Sequence, residues 1–241
     1  MKPARSNTKR EPPYSWSQFK NGRWVSESIQ VRLDEWYPKL FGYHMLKLGG
    51  LSCELSSAQS NIQHQVHLDI QNSLHNIIAD PTTLPFAQHS FDVALLAHQL
   101  DYSADPHRIL REVDRTMMDD GYLIITGFNP FSFIGLSSLM PWRKAHLPWS
   151  GRMFTPNRVK DWLSLLNYQI IECECYAQFP MQTYRTLWAW VEGGLGRWAS
   201  SVGCVYFIVA RKRTFPLKPI PPHRPLKRRL APIGANYRLK E

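Results

Sequence analysis

The amino-acid sequence lacks several features that would assign it to particular protein classes. None of its 241 residues belongs to an apolar run of 18 or more, so no membrane-spanning helix is predicted. Its four cysteines form no C-x-x-C pair and show no zinc-ligand spacing, which predicts buried reduced thiols and no metal site. The basic N-terminus is not followed by the apolar stretch of a secretory signal. We therefore expect a cytoplasmic protein without a transmembrane segment.

Acidic residues are scarce at both ends of the chain. The net charge is +10, of which residues 211–241 carry +9 and residues 1–13 carry +3, so residues 14–210 carry −2. This distribution does not predict a globally positive groove for nucleic acid. Contacts of the basic tail with RNA, anionic lipid or an acidic partner, and a purely solubilising role, are all compatible with its charge. Because aromatic residues do not interleave with its charges, we do not expect specific nucleic-acid binding.

The composition divides the chain into three parts. Residues 1–26 are predicted to form a basic, flexible segment, residues 27–211 a folded domain, and residues 212–241 a basic, proline-rich, disordered tail. A chain of this length buries one sizeable core, so one domain is expected. Within it, residues 128–154 are rich in aromatics and prolines without a clear period. A lid over an apolar substrate and simple core packing both explain this segment.

Short apolar runs alternate with helical patterns along the folded part. The run FDVALLA, residues 91–97, is apolar almost throughout, as in a strand that is covered on both faces. Asp105-Pro106 then begins a helix, because Asp is a good N-cap and Pro suits the first helical position. The alternation predicts an α/β fold with a twisted, mostly parallel sheet, helices on both faces and an antiparallel last strand. The predicted strands are residues 44–48, 65–69, 76–79, 91–97, 122–126, 168–175 and 205–210, and the other predicted helices are residues 27–41, 157–166 and 187–198.

The most specific pattern is a series of short motifs between residues 80 and 126. In order, they are Asp80, Leu84-Pro85-Phe86, Phe91-Asp92 with its apolar strand, Glu112-x-x-Arg115, and Gly121 before a second apolar strand. Their order and spacing resemble the S-adenosylmethionine (SAM)-dependent methyltransferases of the type 11 family, over about residues 40–175. The segments GFNPFS and DWLSLLNY suggest a bacterial branch of that family. The resemblance implies a Rossmann-like class I methyltransferase fold, SAM as the cofactor and methyltransferase activity.

The resemblance also implies cofactor contacts after the third strand. Asp80 would accept a hydrogen bond from the adenine amino group, and Leu84 and Phe86 would form apolar walls for the ring. Family members commonly bind adenine through the backbone N–H that follows this Asp. Here that residue is Pro81, which has no N–H, so Thr82 is the expected donor. The alternative is that Asp80 only closes a turn, since Asp-Pro is a turn dipeptide.

The loop after the first strand departs from the family pattern, which is an acidic residue, an apolar residue and then Gly-x-Gly-x-Gly. The chain reads Lys47-Leu48-Gly49-Gly50-Leu51-Ser52-Cys53, so one glycine matches and a lysine replaces the acid. Gly49 and Gly50 are the candidates for cofactor binding, with a plain strand-to-helix turn as the alternative. Asp69 follows Gly49 at the distance of the acid that binds the ribose hydroxyls, with a solvated turn residue as the alternative.

His98, just past the fourth strand, is expected to face the cleft between cofactor and acceptor. It is a candidate general base, substrate contact or strand-end cap, and methyl transfer by proximity alone needs no base. The leading hypothesis is a SAM-dependent methyltransferase acting on a small or partly apolar acceptor. The alternatives are a catalytically inactive methyltransferase-like binding or regulatory protein, whose glycine loop has decayed, and an RNA-associated modifier that uses the basic tail.

Overall fold

The structure, a computed structural model, has a central β-sheet with helices packed on both faces. It describes residues 12–19, 21–70, 77–132, 135, 147–176 and 203–214. The strands in these residues are β1 (His44–Leu48), β2 (His64–Asp69), β3 (Ile77–Ile78), β4 (Phe91–Ala97), β5 (Met117–Phe128), β6 (Tyr168–Tyr176) and β7 (Val205–Lys212). The helices are α1 (Gly22–Trp36), α2 (Gly50–Cys53), α3 (Pro106–Thr116) and α4 (Pro156–Leu165), with short 3-10 turns at Trp16–Gln18 and Tyr37–Lys39.

The seven strands lie in the order β3-β2-β1-β4-β5-β7-β6. The first five strands along the chain pair in parallel, and β7 runs antiparallel to both β5 and β6. This confirms the predicted fold class, a mostly parallel α/β sheet that is closed by antiparallel strands. Strand order reverses between β1 and β4, and in open α/β sheets ligands bind outside the carboxyl ends of the strands at such a point.

The central position of β4 in the sheet explains why its sequence is apolar throughout. Val93 and Leu95 pack into the core under α1, whereas Ala94 and Leu96 pack into the core under α3 and α4. Both faces of the strand are thus removed from water, as the apolar run predicts. Strand β5 begins five residues before the predicted strand at residues 122–126, and its pairing with β4 shifts between Phe91 and Val93.

Helix α3 begins at the predicted cap and clamps the preceding loop. The Asp105 side chain accepts a hydrogen bond from the Arg108 N–H at 3.1 Å. One residue before the helix ends, the Arg115 guanidinium donates to the backbone oxygens of Leu84 and Phe86, at 3.0 and 2.9 Å. Glu112, paired with Arg115, accepts the Leu84 N–H. The Glu-x-x-Arg motif therefore holds the Leu-Pro-Phe loop against the domain.

The folded part starts earlier than residue 27, because residues 12–19 and 21–26 of the predicted flexible segment of residues 1–26 are part of the fold. Trp16 and Phe19 are buried, with 5% and 7% of their surface exposed. Helix α1 begins at Gly22 because its apolar period already includes Val25, and it ends at Trp36 because Pro38 follows in a 3-10 turn. The predicted helix over residues 27–41 was therefore set about five residues too late.

Several predicted segments lie outside the described residues. They are most of the lid (residues 133–134 and 136–146), the helix at residues 187–198 and the tail beyond residue 214. At the tail boundary, β7 continues to Lys212, whose ammonium donates to the Asp114 carbonyl oxygen at 2.7 Å. Among the helices that the structure describes, none has the length and apolar character needed to cross a membrane.

Candidate functional site

The candidate site lies where β1, β2 and β4 end, next to the reversal of strand order. The N–H of Gly49, which follows β1, donates to the Leu68 carbonyl oxygen of β2 at 2.7 Å. Strand β2 ends at Asp69, and His98 directly follows β4. The fold therefore places Gly49, Asp69 and His98 along one edge of the sheet.

Both glycines of the loop after β1 are covered by atoms of the protein itself. Gly49 has φ 89° and ψ 150°, a backbone conformation that is essentially restricted to glycine, and a Cβ there would meet Oε1 of Gln99. Gly50 begins α2, and a Cβ on it would stand 2.5 Å from the carbonyl oxygen of Tyr14. Both positions require glycine because another group lies too close for a side chain. In this structure those groups are Gln99 and the Tyr14 backbone, which belong to the protein itself.

Replacing Gly49 by Ala is expected to lower the free energy of unfolding by about 1–3 kcal/mol, the usual cost of a strained backbone residue. Urea unfolding of the variant would measure it. In a Gln99→Ala background the steric part of the cost is removed, so the same substitution should cost less. An equal cost in both backgrounds would show that the Gln99 amide swings away freely.

The hydroxyl of Ser52 ties α2 to two strands. It donates to the Leu48 carbonyl oxygen at 2.6 Å and accepts the Ala97 N–H at 2.7 Å. The ends of β1 and β4 are thereby joined through one buried side chain. The loop owes its geometry partly to this hydroxyl, which the family pattern of glycines does not predict.

Lys47, which replaces the acidic residue of the family pattern, is turned into the protein interior. Its ammonium donates to the Leu55 carbonyl oxygen at 2.6 Å, and the residue is only 2% exposed. Burial lowers the pKa of Lys47 from 10.5 to about 8, against a smaller opposing effect of Cys53. The Lys47 ammonium is therefore hydrogen-bonded to the segment that follows α2.

Asp69 offers a buried acceptor at the end of β2. The residue is 3% exposed, and its Oδ1 accepts the Ile70 N–H at 2.7 Å. Its Oδ2 is buried and has no hydrogen-bond partner within the described residues. Buried acceptors are rarely left unpaired in proteins, so this oxygen suits a ligand that brings hydroxyl donors. The ribose of SAM is such a ligand, and in this respect the residues fit the cofactor.

Asp80 and Thr82, the expected adenine contacts, close a turn after β3. The Thr82 N–H donates to Oδ1 of Asp80 at 2.8 Å, and the Thr83 N–H donates to the Asp80 carbonyl oxygen at 3.0 Å. Asp80 itself is exposed. The Thr82 N–H was the expected adenine donor because Pro81 has no N–H. In the structure it is already paired with the Asp80 carboxylate.

Leu84 and Phe86 occupy different surroundings from those expected. Leu84 is part of the core, with 5% of its surface exposed. The Phe86 ring meets Phe91 edge to face at 4.9 Å and lines a groove that includes His44. Because Phe91 and His44 are the first residues of β4 and β1, Phe86 lies at the opposite edge of the sheet. The structure thus places Phe86 away from Gly49, Asp69 and His98, because Arg115 holds this loop against α3.

His98 is completely buried and is held from three sides. Its φ is 53°, and its N–H donates to the Thr126 carbonyl oxygen at 2.9 Å. The imidazole lies 4.1 Å from the Phe128 ring, and its Nδ1 is 3.0 Å from Oδ2 of Asp101. Its Nε2 has no hydrogen-bond partner within the described residues.

Asp101 orients the imidazole from a buried position. Its Oδ2 also accepts the Phe128 N–H at 3.0 Å, so the carboxylate is fixed to the end of β5. Burial raises the pKa of Asp101, and the contacts with His98 and with the Phe128 N–H oppose that rise. Sequence reasoning missed this residue, although the three-residue spacing from His98 was a usable signal.

Trp16 and Gln99 are the other residues near the site that sequence reasoning missed. The Trp16 ring meets the His98 ring edge to face at 5.5 Å, although 82 positions separate them along the chain. No local pattern could have revealed that contact. In the parts of the chain that are described, no three His, Cys, Asp or Glu side chains gather in a way that could hold a metal ion.

The strand order, the reversal point and the buried acid after β2 are features of the class I methyltransferase fold. The chain belongs to the class I SAM-dependent methyltransferases, whose cofactor is SAM. A family model described as "Methyltransferase domain" matches residues 50–125.

Two sequence relatives and two solved structures illustrate the relationship. The uncharacterized protein YafS of Escherichia coli strain K12 is 41% identical over 219 residues, which are 90% of this chain and 88% of YafS. The demethylmenaquinone methyltransferase of Chlamydia pneumoniae is 32% identical over 110 residues, 46% of this chain and 42% of that enzyme.

The solved structures share the fold at low sequence identity. The SAM-dependent methyltransferase from Archaeoglobus fulgidus is 19% identical, with a TM-score of 0.54 over 78% of this chain and 94% of its own. The [4+2]-cyclase SpnF is 16% identical, with a TM-score of 0.58 over 88% and 89% of the two chains. SpnF is named for a different reaction. The shared fold therefore does not identify the acceptor, which has to be inferred from the residues of the site.

Proposed function

We propose that this methyltransferase transfers the methyl group of SAM to a small, partly apolar acceptor that reaches His98. The observation that carries the proposal is the His98 side chain. It is fully buried, its Nδ1 is held by Asp101, and its Nε2 lacks a partner within the described residues. A buried polar atom without a partner costs stability, so its retention at the ligand edge of the sheet favours a functional role.

The surroundings of His98 favour an acceptor with an apolar part. Phe128 and Trp16 contact the imidazole, and Phe19 extends the same group of rings towards Tyr102. Pockets for small molecules are typically lined by such aromatic side chains with a few placed polar groups. In this site, Nε2 of His98 would be the polar group that orients the acceptor.

Bound SAM would supply an electrophilic methyl group, whose carbon–sulfur bond breaks as the acceptor's lone pair attacks the carbon. With Nδ1–H donating to Asp101, Nε2 of His98 carries the lone pair that takes up the proton lost by the acceptor. Asp101 keeps the ring in this tautomer and stabilises the imidazolium that forms. Its own position is secured by the Phe128 N–H.

The other candidate residues are assigned to the cofactor. Asp69 would accept hydrogen bonds from the ribose hydroxyls, and Gly49 and Gly50 would form the loop beside the cofactor. Asp80 and Thr82 would border the adenine at the end of β3, with Leu84 beneath them.

Binding of SAM and of S-adenosylhomocysteine (SAH) to the purified chain, measured by titration calorimetry, tests the proposal first. With one matching glycine in the loop, we expect micromolar or weaker affinity, about 8 kcal/mol or less. Release of SAH in the presence of a panel of phenolic, thiol and amine acceptors then tests transfer. Absence of binding at millimolar SAM would contradict the proposal.

Replacing Asp69 by Asn should weaken SAM binding by about 1.5–3 kcal/mol, because a hydrogen bond to a charged group is lost. Calorimetry measures the change, and the melting temperature checks that the fold is intact. Asp80→Asn is the matched control. Since Asp80 is exposed and paired within its own turn, its replacement should have the smaller effect. A larger effect at Asp80 would reverse the assignment of the two acids.

A catalytically inactive binding protein is the second candidate, and one observation favours it. The Tyr14 backbone covers Gly50, where a cofactor would approach the loop. SAM binding without SAH release from any acceptor in the panel would support this second function.

A further inference from the structure

The segment before α1 lies across the candidate site. We call residues 12–19 the strap. Trp16 anchors it: the indole Nε1–H donates to the Leu51 carbonyl oxygen at 3.0 Å, and the Trp16 backbone N–H donates to Oε2 of Glu54 at 2.9 Å. Both partners belong to α2 or directly follow it. The strap is thus attached to the element that carries the glycine loop.

The strap covers the cofactor side and the acceptor side of the site together. At one end the Tyr14 backbone stands over Gly50 so closely that even a methyl group on that residue would collide with it. In the middle the Trp16 indole packs on the edge of the His98 ring. At the other end Phe19 lies 6.2 Å from the Phe128 ring. A ligand that contacts Gly50 and a ligand that contacts His98 therefore meet the same obstacle.

The strap also has hydrogen bonds of its own. Ser15 and Gln18 form a capping box around the 3-10 turn, in which the Gln18 side chain accepts the Tyr14 and Ser15 N–H groups. Its hydrogen bonds to α2 and to the residue that follows α2 are both made by Trp16. These local bonds can survive when the contacts with α2 break.

We infer that the strap is a gate that competes with SAM for the glycine loop, and that Trp16 is the residue that holds it closed. The inference rests on the proposed function, because it concerns access to the same site. The cofactor can approach Gly50 only after the Tyr14 backbone has left, and the same movement withdraws the indole from His98. Binding of the cofactor and exposure of the proton acceptor are thereby coupled. A closed gate lowers the apparent affinity for SAM by the fraction of molecules that are open.

Loosening the strap should tighten SAM binding. In the full-length chain, Trp16→Ala and, independently, Glu54→Ala are expected to bind SAM at least tenfold more tightly than the native protein, which corresponds to a gate closed in about nine of ten molecules. Trp24→Ala, which removes an indole from α1 instead, is the matched control and should leave the affinity unchanged. Titration calorimetry with SAM and SAH gives the affinities.

Hydrogen exchange of the native chain gives an independent readout that needs no variant to fold. Saturating SAH should accelerate exchange of the Trp16 amide, because its N–H is bonded to Glu54 and loses this partner when the strap leaves α2. Slower exchange there, with weaker binding by Trp16→Ala, would overturn the inference and make the strap a cover over bound cofactor. Native affinity in both strap variants would overturn it as well, while the proposed function stands. Absence of SAM binding in all four proteins would overturn the proposed function and the gate together.

Discussion

Replacing His98 by Gln is expected to reduce the rate of methyl transfer by about 10²–10⁴-fold, the usual contribution of a positioned general base. The glutamine amide retains polar atoms of similar reach but cannot take up the acceptor's proton. SAH release with the best acceptor of the panel measures the rate. The affinity for SAM should stay close to the native value, because the assigned cofactor contacts lie on other residues.

Asp101→Asn separates the orienting role from the structural one. An amide in place of the carboxylate can still accept the Phe128 N–H but holds the imidazolium less well, so the rate should fall while the melting temperature changes little. If His98→Gln transferred methyl groups at the native rate, proximity alone would drive the reaction and His98 would be a strand-end residue.

Replacing Lys47 by Met is expected to change the pH dependence of stability by about 3 kcal/mol between pH 7 and 10.5, from the size of the pKa shift. Burial lowers the pKa of Lys47 to about 8, below its ordinary value of 10.5. Between these two values the unfolded chain keeps the proton that the folded chain has lost. The free energy of unfolding of the native protein therefore rises with pH through this window, and below pH 8 the full cost of burying the charge remains.

The variant has no such group, so its stability relative to the native protein should be highest at pH 7 and should decline towards pH 10.5. Urea unfolding at half-unit steps of pH measures the difference, in which other titrating groups cancel. Lys39→Met, at an exposed lysine beside Trp36, is the control. A constant difference for Lys47→Met would show that its ammonium reaches water in the folded state.

Much of the fold followed from local patterns. The strand limits at residues 44–48 and 91–97 agree with the predicted ones, because apolar runs between turn residues leave few alternatives. The cap at Asp105 was equally local, since the carboxylate, Pro106 and the helical period are neighbours in sequence. The beginning of α1 was misplaced because Trp16 and Phe19 are buried only through contacts with distant residues.

The candidate site was less accessible to sequence reasoning. The positions of Gly49, Asp69 and His98 at one edge follow from their places after predicted strands. The surroundings of Phe86 did not follow, since Arg115, 29 residues later, decides where that loop lies. The sequence showed only that Lys47 replaces the acid of the family pattern, whereas the structure shows that its ammonium donates to the carbonyl oxygen of Leu55.

By itself, the sequence determined the alternation of the strands with the helices α1, α3 and α4, the mostly parallel sheet and the methyltransferase family, because these depend on periodicity, caps and motif spacing within short stretches. The tertiary structure alone decided which groups meet at the ends of β1, β2 and β4. It brings Asp101 and Phe128 to His98 and lays the strap across Gly50. Such contacts join residues through the packing of whole elements, and packing depends on the shape of the complete domain rather than on any local pattern.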